Sequence, residues 1–532
     1  MNLVTMLSAQ VQNRPNAVAI VDDVGGRSRR TTFAELERRS RQGAALLQAS
    51  GLRPGDRVLL VHRMSMELYT ALLSVLRLGM VAVFVEPSAG LREIDRCCAR
   101  ARPAAFIGSP KAHILRMLLP AIRRIPRRFT FGGRGLPGAV AWRNSESLTK
   151  DVPTEDVEDD APALLTLTSG STGGPKATVR THAFLRAQYE ALRGVLQLSP
   201  GEVDLTTLPI VLLANLAAGA TSVIPNADLR SPALIDPAPV LAQMDACDVT
   251  RTSASPALLE RLIDHCVASG RGLPRLTKIF TGGGPVFPGL LDRIHSVATT
   301  ADVLAVYGSS EAEPIAVIGY GQIGADDRRS MAEGRGLLAG RPVPTLQLRI
   351  LPDRAGTAIG PFTGAAFDRE SLGVGHGGEI VVSGPHVLQG YLDGEGDADS
   401  KFRVDGVSWH RTGDAGLLDA NGRLWLLGRC RARVEDTRGV LYPFAVECAA
   451  MQSPPVRRAA LVALEDQRIL AVELRRRLDD AECRALTQSL AWAGIDRIRA
   501  YPRLPVDRRH NAKTDYDALH KLMERRAVQT IG

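Results

Sequence analysis

Residues 166–178 read TLTSGSTGGPKAT. Thr168, Ser169, Ser171 and Thr172 offer hydroxyl donors, Gly170 and Gly173 offer backbone that can turn its N–H groups outward, and Lys176 offers a positive charge. Side chains this small do not block an approaching anion. A run of this kind beyond an apolar strand, here ALLTLT at 163–168, suits a loop that wraps phosphate oxygens. Gly, Ser and Pro also gather in ordinary surface turns, so by itself the stretch is open to both readings. It is not the GxxxxGK[ST] loop, because Pro175 precedes the lysine and Ala177 follows it. Four more groups of chemistry-bearing residues lie downstream: TGGGP (281–285), YGSSE (307–311), WHRTGD (409–414) with GR (428–429), and PVDRRHNAK (505–513).

The elements that must hold these groups show in the periodicity. TTFAELERRSRQGAALL (32–48) has helical spacing with threonines in the N-cap region. RPGDRVLLV (53–61) reads as a turn and a short strand, 66–78 as a helix, and MVAVFVEP (80–87) as a further strand. Apolar strand-like runs return at 163–168, 203–209, 221–224, 277–281 and 303–307. Strands alternating with helices predict an α/β fold with parallel pairing. Segments 318–335 and 353–375 are rich in Gly, Asp and Arg without apolar periodicity, and are expected to be exposed loops. From about 340 the pattern turns to short β segments, LQLRIL (346–351), GEIVVSG (378–384) and RLWLLG (423–428). The expected architecture is a large multi-layer N-terminal domain over 1–427, with stacked sheets and helices plus a small β portion. A smaller α+β domain over 428–532 follows and carries Lys513.

Bulk composition narrows the function classes. With 532 residues, 45% hydrophobic and 23% charged, the chain can bury a sizeable core. Aromatics at 5% do not favour recognition of stacked single-stranded bases. The formal charge of +9 is spread along the chain, with short bunches such as RRIPRR (123–128) and RRR (475–477) that read as solvated faces, not as a nucleic-acid site. A basic surface would still attract anionic substrates or an acidic carrier protein. Seven cysteines form no CxxC pair, which suits reduced thiols in a cytoplasm. The N-terminus lacks the pattern of a secretory signal. The apolar stretch around 58–87 is broken by His62, Arg63, Glu67 and Arg77, so no membrane span is expected.

The run SGSTGGPK resembles the phosphate loop of the adenylate-forming superfamily, which contains acyl-CoA synthetases, luciferases and the adenylation domains of peptide synthetases. The downstream groups match that family's other motifs in its own order. TFAEL and RPGDRV fit near the N-terminus. The resemblance implies ATP and Mg²⁺ as cofactors and activation of a carboxylic acid as its acyl-adenylate. It assigns nucleotide contacts to Thr168, Ser169, Gly170, Ser171, Thr172, Gly173 and Lys176, and to Gly282, Gly283, Gly284 and Pro285. It assigns further ones to Tyr307, Gly308, Ser310, Asp414 and Arg429. Tyr307 would stack on adenine, Glu311 would ligate Mg²⁺, and Asp414 with Arg429 would bind the ribose hydroxyls. Lys176 and Lys513 would spread the charge that develops in the displacement at the α-phosphate. His182 also fits the family.

Several departures select within the superfamily. The hinge position, two after the arginine of GR, is usually Asp or Lys and holds Arg431 here. LPIVLLANLAAGA (208–220) replaces the usual aromatic-histidine gate, and is expected with Gly282–Pro285 to line an apolar acyl pocket or pack as core. Cys430 is expected to be an inert small residue. VYGSSEAEPIA, GRGLLAGRPVP, RVEDTRGVLYPFAVE and AFIGSPKAHILR resemble the olefin-biosynthesis branch, the β-lactone synthetases. In that branch a 2-alkyl-3-hydroxy fatty acid is adenylated and its own hydroxyl closes the lactone. The alternatives are a fatty-acyl-CoA ligase using CoA, a ligase loading an acyl carrier protein, and, more remotely, a non-catalytic nucleotide-binding protein. Expected partners are a small acyl substrate and pathway enzymes or a carrier protein, with no nucleic acid, in a cytoplasmic setting.

Overall fold

The computed structural model describes residues 1–86, 90–132, 135–169, 175–354, 356–507, 513–525 and 530–531. The chain divides by packing into two compact units, each discontinuous in sequence. One comprises Met1–Asn226, Ala242–Ser253 and Leu388–Asp397, and the other comprises Ala227–Leu241, Ala254–Val387 and Ala398–Gly532. These cuts differ from the expected boundary at 427/428.

In the first unit a seven-stranded sheet runs in the order Val140–Ala141, Arg127–Thr130, Ala105–Gly108, Arg57–Val61, Val81–Val85, Pro162–Ser169, Pro175–Thr181. The first six strands are parallel and the last is antiparallel. Parallel strands need both faces covered, which explains their continuous apolar runs. Helices Phe33–Ala49 and Met66–Arg77 supply one core layer, with Leu36, Leu47, Leu72 and Leu76 buried. Helix Leu91–Ala101 and the short turns after Gly108 supply the other, with Ile94, Leu119 and Ile122 buried. The helices begin where expected because local caps fix them. The Thr32 hydroxyl accepts the Glu35 N–H, and the Ser65 hydroxyl accepts that of Leu68.

In the second unit, Lys278–Gly282 pairs in parallel with Asp302–Ser309. From there an antiparallel series continues through Ala312–Gly319, Leu337–Pro342, Leu424–Arg429, Val407–Leu418, Gly378–Ser383 and Gln347–Leu351. Two segments expected to be loops contain short helices, Ala325–Ala332 and Gly364–Glu370. Neither has apolar periodicity, and both exist because of their caps. The Asp327 carboxylate accepts the Gly324 N–H, and the Thr363 hydroxyl accepts the Ala366 N–H.

The C-terminal part is a smaller α+β domain. Its sheet of Val456–Leu464, Gln467–Leu474, Arg497–Tyr501 and Thr530–Ile531 packs with helices Pro443–Ala450, Asp480–Ser489 and Tyr516–Arg525. Glu260 receives Arg293, Arg457, Arg458 and Arg475, all within 4 Å. Its burial opposes ionisation, yet the arginines hold its pKa below the usual carboxylate range. No helix among the described residues is long and apolar enough to cross a membrane.

Candidate active site

In the first unit the glycine-rich run spans a strand pair. Pro162–Ser169 leads into it and Pro175–Thr181 leads out, with Thr168 opposite Lys176 and Ser169 opposite Pro175. Gly170, Ser171, Thr172 and Gly173 lie outside the described residues. Lys176 is half-buried, and its ammonium sits 5.2 Å from the Tyr391 ring centroid. The lysine stem lies on Gly396, where a Cβ would come within 3.0 Å of its Cε. Gly396 also has φ +96°, so the backbone there favours glycine, and a Cβ would crowd the lysine stem. The segment bearing Tyr391 and Gly396 is tied down by Arg100, which donates to the Leu392 carbonyl and pairs with Glu395 at 2.7 Å. Sequence reading missed Tyr391 and Gly396, because no local spacing connects them with Lys176.

In the second unit Lys278–Gly282 and Asp302–Ser309 run side by side. A Cβ at Gly282 would lie 2.6 Å from the Val306 carbonyl oxygen, so only glycine permits this approach. Gly283, Gly284 and Pro285 follow at the strand end, partly exposed. Tyr307 lies near the end of Asp302–Ser309, and the Tyr307 hydroxyl donates to Asp414 Oδ2 at 2.8 Å. Asp414 stands opposite Arg429 in adjacent strands, with Arg429 Nε 3.2 Å from Asp414 Oδ1. Each carboxylate oxygen therefore has its own donor. Thr412 adds a brace: its hydroxyl accepts the Asp414 N–H, and its carbonyl accepts from Arg429. Burial and then Asp414 push the Tyr307 hydroxyl pKa well above its ordinary value, so it remains a donor. Asp414 raises the Arg429 pKa against the cost of burial, and Tyr307 and Glu311 add to that field. Gly308 lies near the end of strand Asp302–Ser309, and Ser310 and Glu311 occupy the turn into Ala312–Gly319, all three half-buried. The structure thus gathers Tyr307, Glu311, Asp414 and Arg429 in one electrostatic cluster.

Lys513 sits at the mouth of a loop. Its N–H donates to Asp507 Oδ1 at 2.8 Å, and the Asp507 N–H donates back to the Lys513 carbonyl at 2.8 Å. Val506 and Thr514 pair as an isolated bridge below this neck. The next helix is pinned by the Tyr516 hydroxyl, which donates to Glu447 Oε1 at 2.8 Å. Glu447 also accepts the Leu461 N–H, and burial pushes its carboxyl up to about 7. Asp507 lies inside the quoted motif PVDRRHNAK, so it was available to sequence reading as an acid six positions before the lysine.

Other expected residues have structural roles. His182 is fully buried at the start of helix His182–Leu196, and its Nδ1 accepts the Leu3 N–H at 3.1 Å. Burial lowers its pKa to about 4, so the ring is neutral and anchors the N-terminal segment. Residues 208–220 contain helix Pro209–Ala218, apolar on all sides, with Val211, Leu212 and Leu216 buried. Asn215 on this helix donates to Asp204 and Ser222. A cavity of about 40 Å³ beside it is lined by Leu7, Leu73, Leu185, Ile210 and Leu213. That is far below the roughly 300–1,000 Å³ of ligand pockets. Cys430 is buried, and burial raises its thiol pKa strongly, as an inert residue requires. Arg433 and Tyr442 both bond Asp353 Oδ2, bracing the chain after Arg429.

This fold is that of the adenylate-forming enzymes. The anthranilate CoA ligase AuaEII, in complex with anthranoyl-AMP, superposes with a TM-score of 0.82 at 18% identity, covering 98% of this chain and 97% of that one. The family described as AMP-binding enzyme matches residues 7–392. An olefin beta-lactone synthetase of Xanthomonas campestris pv. campestris is 33% identical, covering 97% of this chain and 96% of the relative. One from Stenotrophomonas maltophilia is 34% identical, covering 92% and 90%. The chain belongs to the AMP-binding enzyme family, and it is an AMP-forming acid ligase.

Proposed function

We propose that this ligase activates an aliphatic 2-alkyl-3-hydroxy acid with ATP and closes it to a β-lactone. The observation that carries the reading is near full-length identity of 33–34% to two olefin beta-lactone synthetases. Arg431 at the hinge position and LPIVLLANLAAGA at 208–220 support it, since the family resemblance implies Asp or Lys and an aromatic-histidine gate at those places.

The first step is an in-line displacement. The substrate carboxylate attacks the α-phosphorus, the acyl-adenylate forms, and pyrophosphate leaves. Asp414, its oxygens oriented by Tyr307 and Arg429, accepts hydrogen bonds from the ribose hydroxyls, and the Tyr307 ring supports the adenine. Thr168 to Gly173 and Lys176 hold the departing phosphates. Gly282 to Pro285, Gly308 and Ser310 shape the nucleotide side. Lys513 neutralises charge at the carboxylate–phosphate junction. Among the described residues no three His, Cys, Asp or Glu gather as a metal cage. A lone Glu311 fits Mg²⁺ nonetheless, because this ion is commonly held by one or two carboxylates plus substrate phosphates. When bound there it would neutralise the triphosphate.

In the second step the 3-hydroxyl oxygen attacks the acyl carbon, its proton is lost, and AMP leaves as the four-membered ring closes. Nucleophile and electrophile are tethered, so no second substrate has to be bound and oriented. Residues 428–532 act as a lid that delivers Lys513. The chain works in the cytoplasm on a small-molecule acid.

Product analysis tests the reading. The enzyme is incubated with ATP, Mg²⁺ and a long-chain 2-alkyl-3-hydroxy acid, with and without CoA, and the organic extract is examined by NMR. A β-lactone formed without CoA is expected. An acyl-CoA formed only when CoA is present would replace lactone closure with ordinary thioester ligation.

A further inference from the structure

We infer that the outer layer formed by residues 111–128 is a docking surface for an anionic lipid bilayer. From Arg96 to Ser145 the chain contains no Asp or Glu, while it carries ten arginines and one lysine. Elsewhere many arginines of this protein are ion-paired, as with Arg29, Arg251, Arg411, Arg423 and Arg468. Arg96 and Arg100, at the start of this stretch, are paired as well, but the basic residues of 111–128 are not. Among the described residues no carboxylate pairs with Lys111, Arg116, Arg123, Arg124 or Arg128. Asp95 reaches the layer as an acceptor, taking the Ala121 N–H at 2.8 Å.

Apolar side chains project from the middle of this charge. The turns Ala112–Ile114 and Leu115–Leu118 pack Ala112 and Leu115 inward. Ile114, Met117 and Leu118 face outward, at 51%, 70% and 54% exposure. The spacing i, i+3, i+4 puts the three on one side of the helical stretch. Arg123 donates to the carbonyls of Arg116 and Met117, and Arg128 donates to the Arg123 carbonyl. Arg116 donates to His113 and the Pro137 carbonyl. The guanidinium groups of Arg116, Arg123 and Arg128 are therefore held against nearby backbone carbonyls, in the same short stretch as the exposed apolar side chains. That combination suits a membrane interface, where cations meet headgroup phosphates and apolar side chains meet the acyl boundary. An acidic protein partner would satisfy the charges but not the three projecting apolar tips. A bilayer is also where an aliphatic acid accumulates, although the inference does not depend on the β-lactone reading.

The test is co-sedimentation of the full chain with vesicles of phosphatidylcholine, either pure or one-quarter phosphatidylglycerol. The protein is expected to pellet with the anionic vesicles at low ionic strength and to be released in about 0.5 M salt. Each basic residue near an anionic surface contributes about fivefold in partitioning, so R123E/R124E is expected to bind at least about 25-fold more weakly. M117N/L118N removes two inserted side chains and should cost at least about tenfold. Turnover of both variants on a soluble short-chain acid should stay within about twofold, since neither pair touches the nucleotide residues. As a second reporter, Met117→Trp should shift its emission to the blue on adding anionic vesicles. No pelleting of the wild type, or no spectral shift, overturns the inference. So does pelleting of M117N/L118N equal to the wild type, which would identify a purely electrostatic surface for an acidic protein.

Discussion

Asp414 is held from two sides, by the Tyr307 hydroxyl at one oxygen and Arg429 at the other. The carboxylate is thereby aimed without spending a substrate contact to aim it. Tyr307→Phe removes one donor and leaves the ring. Loss of a hydrogen bond to a charged group costs about 1.5–3 kcal/mol. On the proposed ribose role of Asp414, the expected result is a KM for ATP raised about tenfold with kcat changed much less, because ribose orientation of that kind is uniform binding and not transition-state stabilisation. Steady-state kinetics with ATP varied would show this, and an unchanged KM would remove Asp414 from the ribose site. Lys176 shows the same economy: the Tyr391 ring and the bare backbone of Gly396 confine its stem.

Among the elements, the loop that carries Lys513 depends on its neck. Asp507 closes it by two hydrogen bonds of 2.8 Å across residues 507 and 513. Asp507→Ala removes the carboxylate bond to the Lys513 N–H, leaves only the backbone bond across the neck, and so loosens the lysine. The adenylation kcat is expected to fall about tenfold, with the KM for ATP nearly unchanged, since positioning errors tell in the transition state. Asp507→Asn keeps the acceptor oxygen and should recover most of the rate. If Lys513→Ala proved silent while Asp507→Ala did not, the lysine would lose its role and the neck would be a folding element.

Stability belongs to the whole molecule, and one buried acid makes it depend on pH. Glu447 titrates at about 7 in the fold against an ordinary 4.5. Between those values the unfolded chain has released a proton that the fold still holds. Stability is therefore full below about pH 4.5 and falls as pH rises through 7. At about 1.4 kcal/mol per pH unit the loss is on the order of 3 kcal/mol. Glu447→Gln keeps the acceptor for Leu461 and Tyr516 and removes the titration. Urea midpoints should show the variant more stable than wild type at pH 8 and equal to it near pH 4.5. Parallel pH profiles for the two proteins would show that Glu447 is not the responsible group.

Much of the architecture and the residue types of the site were legible in the sequence, and the reason is local. Strand and helix periods, and caps such as Thr32 and Ser65, act within one or two turns of chain. The order of the motifs along the chain is itself enough to mark the superfamily. What tertiary structure alone decided are the partners. Tyr307 meets Asp414 across 107 positions because their strands lie in one antiparallel series. His182 proved to be an anchor for Leu3, and Gly396 a seat for Lys176. The basic bunch at 123–128 read as an ordinary solvated face, because a charge run does not disclose whether carboxylates elsewhere in the chain will reach it. Periodicity is a property of neighbours along the backbone, whereas pairing is a property of neighbours in space, and only the folded chain brings those together.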